Sequence, residues 1–332
     1  MPAPLSIAVL GLWHVHATDY AREVREHPGT SLAAVWDPDA ERGRAGAEQL
    51  GVDFIADLDE LLARDDIDGV TVTTATNEHH DVLTRAARAG KHIFTEKLLA
   101  PTVAEAEDIV RIADEAGVVV VVSLPRLAEA TTLAIIDMIA SGRLGTITYS
   151  RVRMAHNGWL HDWLPERFAD PVAAIGGALT DLGCHPMYLT QRFLGATPSG
   201  VSATYTHVTD RAVEDNAVVT VSYPNGAIGV AEASFVTTPG AFALEVRGTE
   251  GSALYGFGGE KLLVKGDHFD QESWQEYELP ASAPAPFAEW IDGIRTGTRA
   301  DANLAAAIEL TRLVGAANEA AASGTTVSYP NR

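Results

Sequence analysis

The chain has 332 residues, of which 46% are hydrophobic, and a formal net charge of −21. This length is enough for two hydrophobic cores, so we expect two domains. The acidity argues against nucleic acid and membrane partners, because both favour a basic surface. The single cysteine, Cys184, excludes an intramolecular disulfide. The sequence shows neither the apolar run of about 18 residues that a membrane span needs nor a basic signal-peptide start, so we expect a cytoplasmic protein.

The first third of the sequence alternates short apolar runs with helical patterns. Thr102 and Glu105 form a capping box that starts one helix, and Gly117 stops it. Asp57 and Glu60 mark another helix start in the same way. This alternation predicts a parallel sheet with right-handed crossovers. The runs predicted as buried strands are 5–10, 32–36, 69–74, 91–95 and 118–122.

Ligands of such a sheet bind beyond the carboxyl ends of its strands, so the residues after each run are candidates. After the first run, only Gly11 of the pattern G-x-G-x-x-G is present, with Trp13 and His16 at the second and third glycine positions. Asp37 follows the second run at about the 20-residue spacing of a carboxylate that binds an adenosine ribose. The alternative is that Asp37, followed by Pro38, only starts a turn and helix.

Two later runs are also followed by candidate residues. Thr74, Asn77 and His80 come after the third run, and Glu96 with Lys97 comes after the fourth. A lysine carried from a buried strand into a ligand crevice is a plausible proton donor, because burial and neighbouring cations lower a lysine pKa. The alternative role for this lysine is a salt bridge with its neighbouring carboxylate.

The second part of the chain has a different pattern. A helix is predicted at 127–141 and a strand at 146–154, followed by a polar and aromatic loop. Residues 199–279 contain strand after strand, with a hairpin at 224–226 (Pro-Asn-Gly), which predicts a mostly antiparallel sheet. Helices near 286–296 and 302–322 close the chain. We therefore predict two domains, 1–124 and 125–332.

The stretch from Gly176 to Tyr188 sets Asp181 and His185 four residues apart. On one helix the two side chains would share a face, and the carboxylate could then fix the tautomer of the imidazole and raise its basicity. Such a pair can transfer a proton near neutral pH. The same spacing also occurs in an ordinary ion pair on a helix surface.

Taken together, these motifs resemble the Gfo/Idh/MocA oxidoreductases (glucose–fructose oxidoreductase and inositol dehydrogenase family). The resemblance rests on the glycine turn, Asp37, the Asn77-x-x-His80 turn, Glu96-Lys97 and Asp181-x-Gly183-x-His185, and it covers nearly the whole chain. It implies an N-terminal Rossmann domain, a doubly wound parallel sheet. It also implies a C-terminal α+β domain with an open, mostly antiparallel sheet flanked by helices.

The resemblance further implies a hydride transfer between nicotinamide and a secondary alcohol or ketone of a sugar, inositol or related polyol. We expect Lys97, Asp181 and His185 to be catalytic and to converge on one substrate hydroxyl, with either Lys97 or His185 as the proton acceptor. The substrate residues implied are Lys97, His156, Trp163, Arg167, Asp181 and His185. The cofactor residues implied are Gly11, Trp13, His14, Asp37, Thr74, Asn77, His80, Glu96, Lys97 and Arg126.

The resemblance also shapes the cofactor and partner predictions. Asp37 favours NAD(H) over NADP(H), because a carboxylate accepts ribose hydroxyls and repels a 2′-phosphate, although Arg42 and Arg44 lie close by. The chain departs from the family in its glycine-poor turn and in Leu98, where a proline usually follows the lysine. The family implies a homodimer or homotetramer that pairs through the exposed face of the second sheet.

Two other functions are compatible with parts of the sequence. One is a family member with weak cofactor binding or with chemistry without net redox change, such as elimination or hydrolysis, which the glycine-poor turn would allow. The other is a metal-dependent hydrolase, because His14 and His16 directly follow the first strand. That hydrolase fold needs eight alternating strands and helices in a barrel, so we expect no metal at these histidines.

Overall fold

The computed structural model describes residues 3–329. The chain separates by its internal contacts into two compact units. Within the described residues, the first unit contains 3–123 together with Ala285–Thr311. The second unit contains Leu124–Pro284 and 312–329. A segment close to the end of the sequence therefore folds with the first unit.

Strands and helices follow the chain in this order. The strands are β1 (Leu5–Leu10), β2 (Thr30–Trp36), β3 (Asp53–Phe54), β4 (Gly69–Val72), β5 (His92–Thr95), β6 (Val120–Val122), β7 (Ile147–Ala155), β8 (Gly200–Thr206), β9 (Asn216–Ser222), β10 (Ile228–Ser234), β11 (Ala241–Gly248), β12 (Gly251–Tyr255), β13 (Leu262–Gly266), β14 (Gln275–Glu276) and β15 (Val327–Ser328). The helices are α1 (Ala17–Glu26), α2 (Ala40–Leu50), α3 (Leu58–Leu62), α4 (His79–Arg88), α5 (Val103–Ala116), α6 (Ala130–Ala140), α7 (Ala178–Asp181), α8 (Cys184–Leu194), α9 (Pro286–Thr296) and α10 (Asp301–Ser323).

The first unit contains a six-stranded sheet in the order β3-β2-β1-β4-β5-β6, and its strand pairs are parallel. This order reverses direction between β1 and β4, the point at which open α/β sheets bind ligands. All five apolar runs predicted as strands form strands of this sheet. The sequence pattern did not predict the two-residue β3. The doubly wound parallel sheet is confirmed.

The core of the first unit takes in residues from both of its chain segments. Trp290 on α9 is fully buried and packs with Ile7, Phe94 and Val121. Its indole nitrogen donates a hydrogen bond to the carbonyl oxygen of Val119 (3.3 Å). Burial of such large apolar side chains is the main stabilising contribution to folding. Helix α9 therefore supplies part of the core of the parallel sheet.

The second unit contains a nine-stranded sheet in the order β14-β13-β12-β11-β7-β10-β9-β8-β15. The β7–β10 pair is parallel and the remaining pairs are antiparallel, so the sheet is mixed but mostly antiparallel, as predicted. The predicted hairpin joins β9 to β10. The eight-stranded barrel that a hydrolase of the amidohydrolase type needs is not this fold.

Candidate active site

The turn after β1 requires a glycine. Gly11 has a φ angle of +83°, and a Cβ atom there would lie 2.5 Å from Thr74 Cγ2 and 2.7 Å from the Thr74 backbone nitrogen. Its amide donates to the carbonyl oxygen of Trp36 (2.7 Å). An L side chain fits neither this backbone angle nor this space. The one glycine that the sequence keeps thus closes the tight turn at the carboxyl edge of the sheet.

Two of the five residues between this turn and α1 are buried. Trp13 and His14 are buried, and His14 Nδ1 accepts a hydrogen bond from the amide of His16 (3.3 Å). His16 is the N-cap of α1, but its side chain makes no capping hydrogen bond. Uncapped amides at a helix start suit an anionic group such as a pyrophosphate. Thr74 Oγ1 is also buried, and within residues 3–329 it has no hydrogen-bond partner. This donor set fits a dinucleotide.

Asp37, predicted to bind the adenosine ribose, is buried at the end of β2 and already accepts four hydrogen bonds. One carboxylate oxygen accepts from the amide of Leu12 (2.6 Å) and from Arg42 Nε (2.9 Å). The other oxygen accepts from the amide of Asp39 (2.8 Å) and from Arg42 Nη2 (2.7 Å). This bidentate ion pair connects the glycine turn to the start of α2. Arg42 stands close to Asp37 in the sequence, but the sequence does not specify this pairing.

Two adjacent histidines at the start of α4 lie in different environments. His80, the predicted site residue, is half-buried and its Nε2 lies 3.0 Å from an oxygen of Asp108. His79 is buried and its Nδ1 donates to the carbonyl oxygen of Leu98 (2.7 Å). Burial lowers the pKa of His79. Asn77, in the short 3₁₀ turn before α4, is exposed. The His-His doublet was visible in the sequence, but only burial distinguishes its two members.

Glu96 and Lys97 are both buried directly after β5. Lys97 Nζ lies 3.5 Å from Glu96 Oε1, so the salt bridge considered from the sequence is present. The Tyr20 hydroxyl donates to the other carboxylate oxygen of Glu96. Burial by itself would raise the pKa of Glu96, but nearby His14 and Lys97 lower it to about 2. The carboxylate is therefore charged, and it holds the lysine amine in one position.

The helix predicted to carry both Asp181 and His185 is broken, so the prediction of a single helix was wrong. Helix α7 ends at Asp181, and α8 begins at Cys184. The amide of Gly183 donates to the carbonyl oxygen of Ala178 (2.8 Å), five residues earlier, rather than to that of Leu179. The ordinary four-residue hydrogen-bond spacing is lost at this point. Asp181 and His185 therefore lie on two consecutive short helices.

A buried carboxylate that the sequence analysis missed holds the start of α7. Glu214 accepts hydrogen bonds from the amides of Gly177 (3.0 Å) and Leu179 (2.9 Å), and its carbonyl oxygen accepts from the amide of Ala178 (2.9 Å). Burial raises the pKa of Glu214, and the bonds from Leu179 and Gly177 oppose that change. These bonds fix the backbone directly before Asp181.

His185 is buried on α8 and pairs with a tyrosine one turn later. Its Nδ1 lies 2.8 Å from Tyr188 Oη, and that oxygen accepts a hydrogen bond from the amide of Arg126 (3.1 Å). Burial raises the pKa of Tyr188 well above its usual range. The Arg126 guanidinium bonds to Glu129 (2.5 Å) and lies over the Phe242 ring, 4.3 Å from its centroid. Arg126 belongs to the second unit.

The loop after β7 exposes one of its predicted substrate residues and half-buries the others. Trp163 is half-exposed and its ring centroid lies 4.6 Å from that of His156. His156 also stacks on Phe235 (4.9 Å). Burial lowers the pKa of His156, and the carboxylate of Asp181 opposes this change. Arg167, in the 3₁₀ turn Glu166–Ala169, is half-buried. The Trp163 and His156 rings are tilted against each other by 53°.

The two units correspond to two known protein families. Residues 5–124 match an oxidoreductase family described as an NAD-binding Rossmann fold, and residues 132–254 match the GFO/IDH/MocA C-terminal domain. With the parallel sheet and the uncapped α1 start, the first match defines an NAD-binding oxidoreductase. The chain belongs to the Gfo/Idh/MocA oxidoreductase family, which confirms the resemblance seen in the sequence.

Relatives with assigned activities are similar over most of this chain. A 1,5-anhydro-D-fructose reductase of Ensifer adhaerens is 31% identical over 68% of each chain. A scyllo-inositol 2-dehydrogenase (NAD(+)) of Bacillus subtilis (strain 168) is 30% identical over 79% of this chain and 78% of its own. The crystal structure of GenD2 from gentamicin A biosynthesis, in complex with NAD, has a TM-score of 0.84 at 24% identity, covering 100% of this chain and 98% of its own. That structure shares the fold.

Proposed function

We propose that this protein transfers a hydride between a nicotinamide dinucleotide and a secondary alcohol or ketone of a sugar, an inositol or a related polyol. The buried Glu96–Lys97 pair at the carboxyl end of β5, next to the switch point of a Rossmann sheet, is the observation that carries the proposal. The names of the two assigned relatives support the substrate class.

The dinucleotide, when bound, supplies the group that accepts or gives the hydride. The residues of this chain would bind and orient the dinucleotide and the substrate, and they would exchange the proton. The uncapped start of α1 would hold the pyrophosphate, and Gly11 would close the tight turn that leads to it. Lys97 and His185, with Asp181, would act on one substrate hydroxyl, where they stabilise the charge that develops on oxygen.

For the cofactor, we propose NAD(H) rather than NADP(H). The Arg42 guanidinium is paired with the buried Asp37 carboxylate, so its charge is largely offset. The Asp39 carboxylate lies 3.9 Å from the same guanidinium. The pKa of Glu78 is raised, first by burial and second by the nearby negative charge of Asp37. Negative groups around the ribose position repel a 2′-phosphate. Titration with both cofactors tests this, and equal or tighter NADP(H) binding would contradict it.

A sugar and polyol panel, followed at the nicotinamide absorbance, tests the proposed activity. Lys97→Ala and His185→Ala should each lower turnover by roughly 10² or more, with cofactor affinity little changed. Asp181→Asn should cost less if that residue only orients its neighbours. Lys261→Ala and His268→Ala are matched controls, because both side chains lie on the surface. Turnover without net absorbance change would favour elimination chemistry instead, and full activity in Lys97→Ala would refute the mechanism.

We also propose a homo-oligomer that works in the cytoplasm. Val218 on β9 and Ile228 on β10 are more than two-fifths exposed and lie on the same face of the second sheet, since they pair with Glu232 and Ser222. Exposed apolar side chains on an open sheet face favour pairing with a second copy. Light scattering at micromolar concentration should give a mass above the 35.2 kDa of one chain; a monomer would contradict this. No helix within residues 3–329 is long and apolar enough to cross a membrane.

A further inference from the structure

We propose that Tyr188 fixes the tautomer of His185: its hydroxyl donates to Nδ1, so the neutral ring carries its proton on Nε2. The two residues are one helical turn apart on α8, and both are buried. The Nδ1–Oη distance of 2.8 Å is that of a direct hydrogen bond. The catalytic consequence rests on the proposed function, in which His185 contacts the substrate.

The direction of this bond follows from the other partner of the tyrosine. The amide of Arg126 can only donate, and it donates to Tyr188 Oη (3.1 Å). The phenol has one proton, and among residues 3–329 the ring nitrogen of His185 is the acceptor that its hydroxyl reaches. Burial raises the pKa of the phenol, which therefore retains its proton for this bond.

The opposite arrangement would leave a buried donor without an acceptor. If Nδ1 carried the proton, Tyr188 Oη would accept from both His185 and Arg126, and the phenolic proton would point into the protein interior. An unsatisfied buried donor is strongly unfavourable. We expect the tautomer with its proton on Nε2 to be favoured by about tenfold or more.

This tautomer decides what His185 can do at the substrate. The sequence suggested that Asp181 orients the ring, whereas the observed partner of Nδ1 is Tyr188. With its proton on Nε2, the neutral imidazole presents a hydrogen-bond donor and cannot accept a proton at that atom. His185 would stabilise the negative charge that develops on the substrate oxygen, and the hydroxyl proton would pass to another group, for which Lys97 is the candidate. Tyr188 is thus a positioning residue.

Nitrogen-15 NMR of the histidine rings in the full-length protein tests the assignment, with His185→Gln identifying the resonances. In the wild-type protein, at a pH above the pKa of the His185 ring, Nδ1 should give the signal of an unprotonated nitrogen. Nε2 should give the signal of a protonated nitrogen. Tyr188→Phe should move the ring toward a mixture of tautomers and lower kcat more than it raises KM. Tyr223→Phe is the matched control, because Tyr223 is also buried and its hydroxyl has no partner within residues 3–329.

The outcomes separate this proposal from the proposed function. A wild-type ring with its proton on Nδ1 would overturn the tautomer assignment, and this result does not depend on how Tyr188→Phe folds. An unchanged His185 spectrum in Tyr188→Phe would also overturn it. Full activity of the His185→Gln variant would instead refute the catalytic role of His185 and leave the tautomer result standing.

Discussion

Replacing Asp37 by asparagine tests the ion pair that connects the glycine turn to α2. The Asp37 carboxylate has no solvent exposure, and it accepts two hydrogen bonds from backbone amides and two from Arg42. Asparagine has the same shape but only one acceptor oxygen, and its NH₂ group would face donors. Breaking a buried pair costs about 3–5 kcal/mol. We expect the low end, about 3 kcal/mol, because the guanidinium is 26% exposed and partly solvated.

Urea unfolding of Asp37→Asn, Arg42→Gln and the double variant measures this directly. Arg42→Gln should cost less, about 1–2 kcal/mol, because the Asp37 carboxylate keeps its two backbone donors. The two changes should combine less than additively by about 1 kcal/mol or more, since each removes the same pair. A loss below about 1 kcal/mol in Asp37→Asn, or simple additivity, would refute the reasoning.

The remaining predictions concern one buried charge and two glycines. Because the Glu96 pKa falls from 4.5 to about 2, its ionised form stabilises the fold above pH 4.5, and this stability is lost as pH falls from 4.5 toward 2. The loss should be about 3 kcal/mol and absent in Glu96→Gln, measured as unfolding free energy against pH; parallel pH profiles would contradict it. Gly177→Ala should destabilise by about 1–3 kcal/mol, because its Cβ would lie 2.1 Å from the Glu214 carbonyl oxygen. Gly315→Ala, in open space within α10, should instead stabilise by about 0.5–1 kcal/mol, and thermal unfolding of both variants checks the contrast in sign.

Local sequence signals predicted many of the elements. Thr102 and Glu105 form the full capping box at the start of α5, and Gly117 ends that helix in the left-handed conformation. Both signals depend on bonds within one turn of backbone, so a short stretch of sequence contains all the information they need. The predicted bounds of α9 agree with the structure for the same reason.

The candidate site was predictable in residue type but only partly in environment. The pattern marked Asp37, Lys97 and His185 because chemically active residues follow buried strands or stand at helical spacing. It did not show that Arg42 occupies the Asp37 carboxylate or that Tyr188 is the partner of His185 Nδ1. Such pairings depend on side-chain direction and burial, which periodicity does not specify.

The sequence alone thus determined many of the elements, the parallel and the mostly antiparallel sheet, and the resemblance to the family. Only the tertiary structure decided that α9 packs Trp290 into the core of the parallel sheet, although 161 residues (124–284) separate the two segments of the first unit. It also decided that the helix breaks at Gly183, where a Cβ would lie 2.6 Å from the Leu179 carbonyl oxygen. The packing of Trp290 depends on contacts supplied by distant residues, because hydrophobic burial has no preferred sequence separation. The break at Gly183 depends on backbone space, which the pattern of apolar and polar residues does not specify.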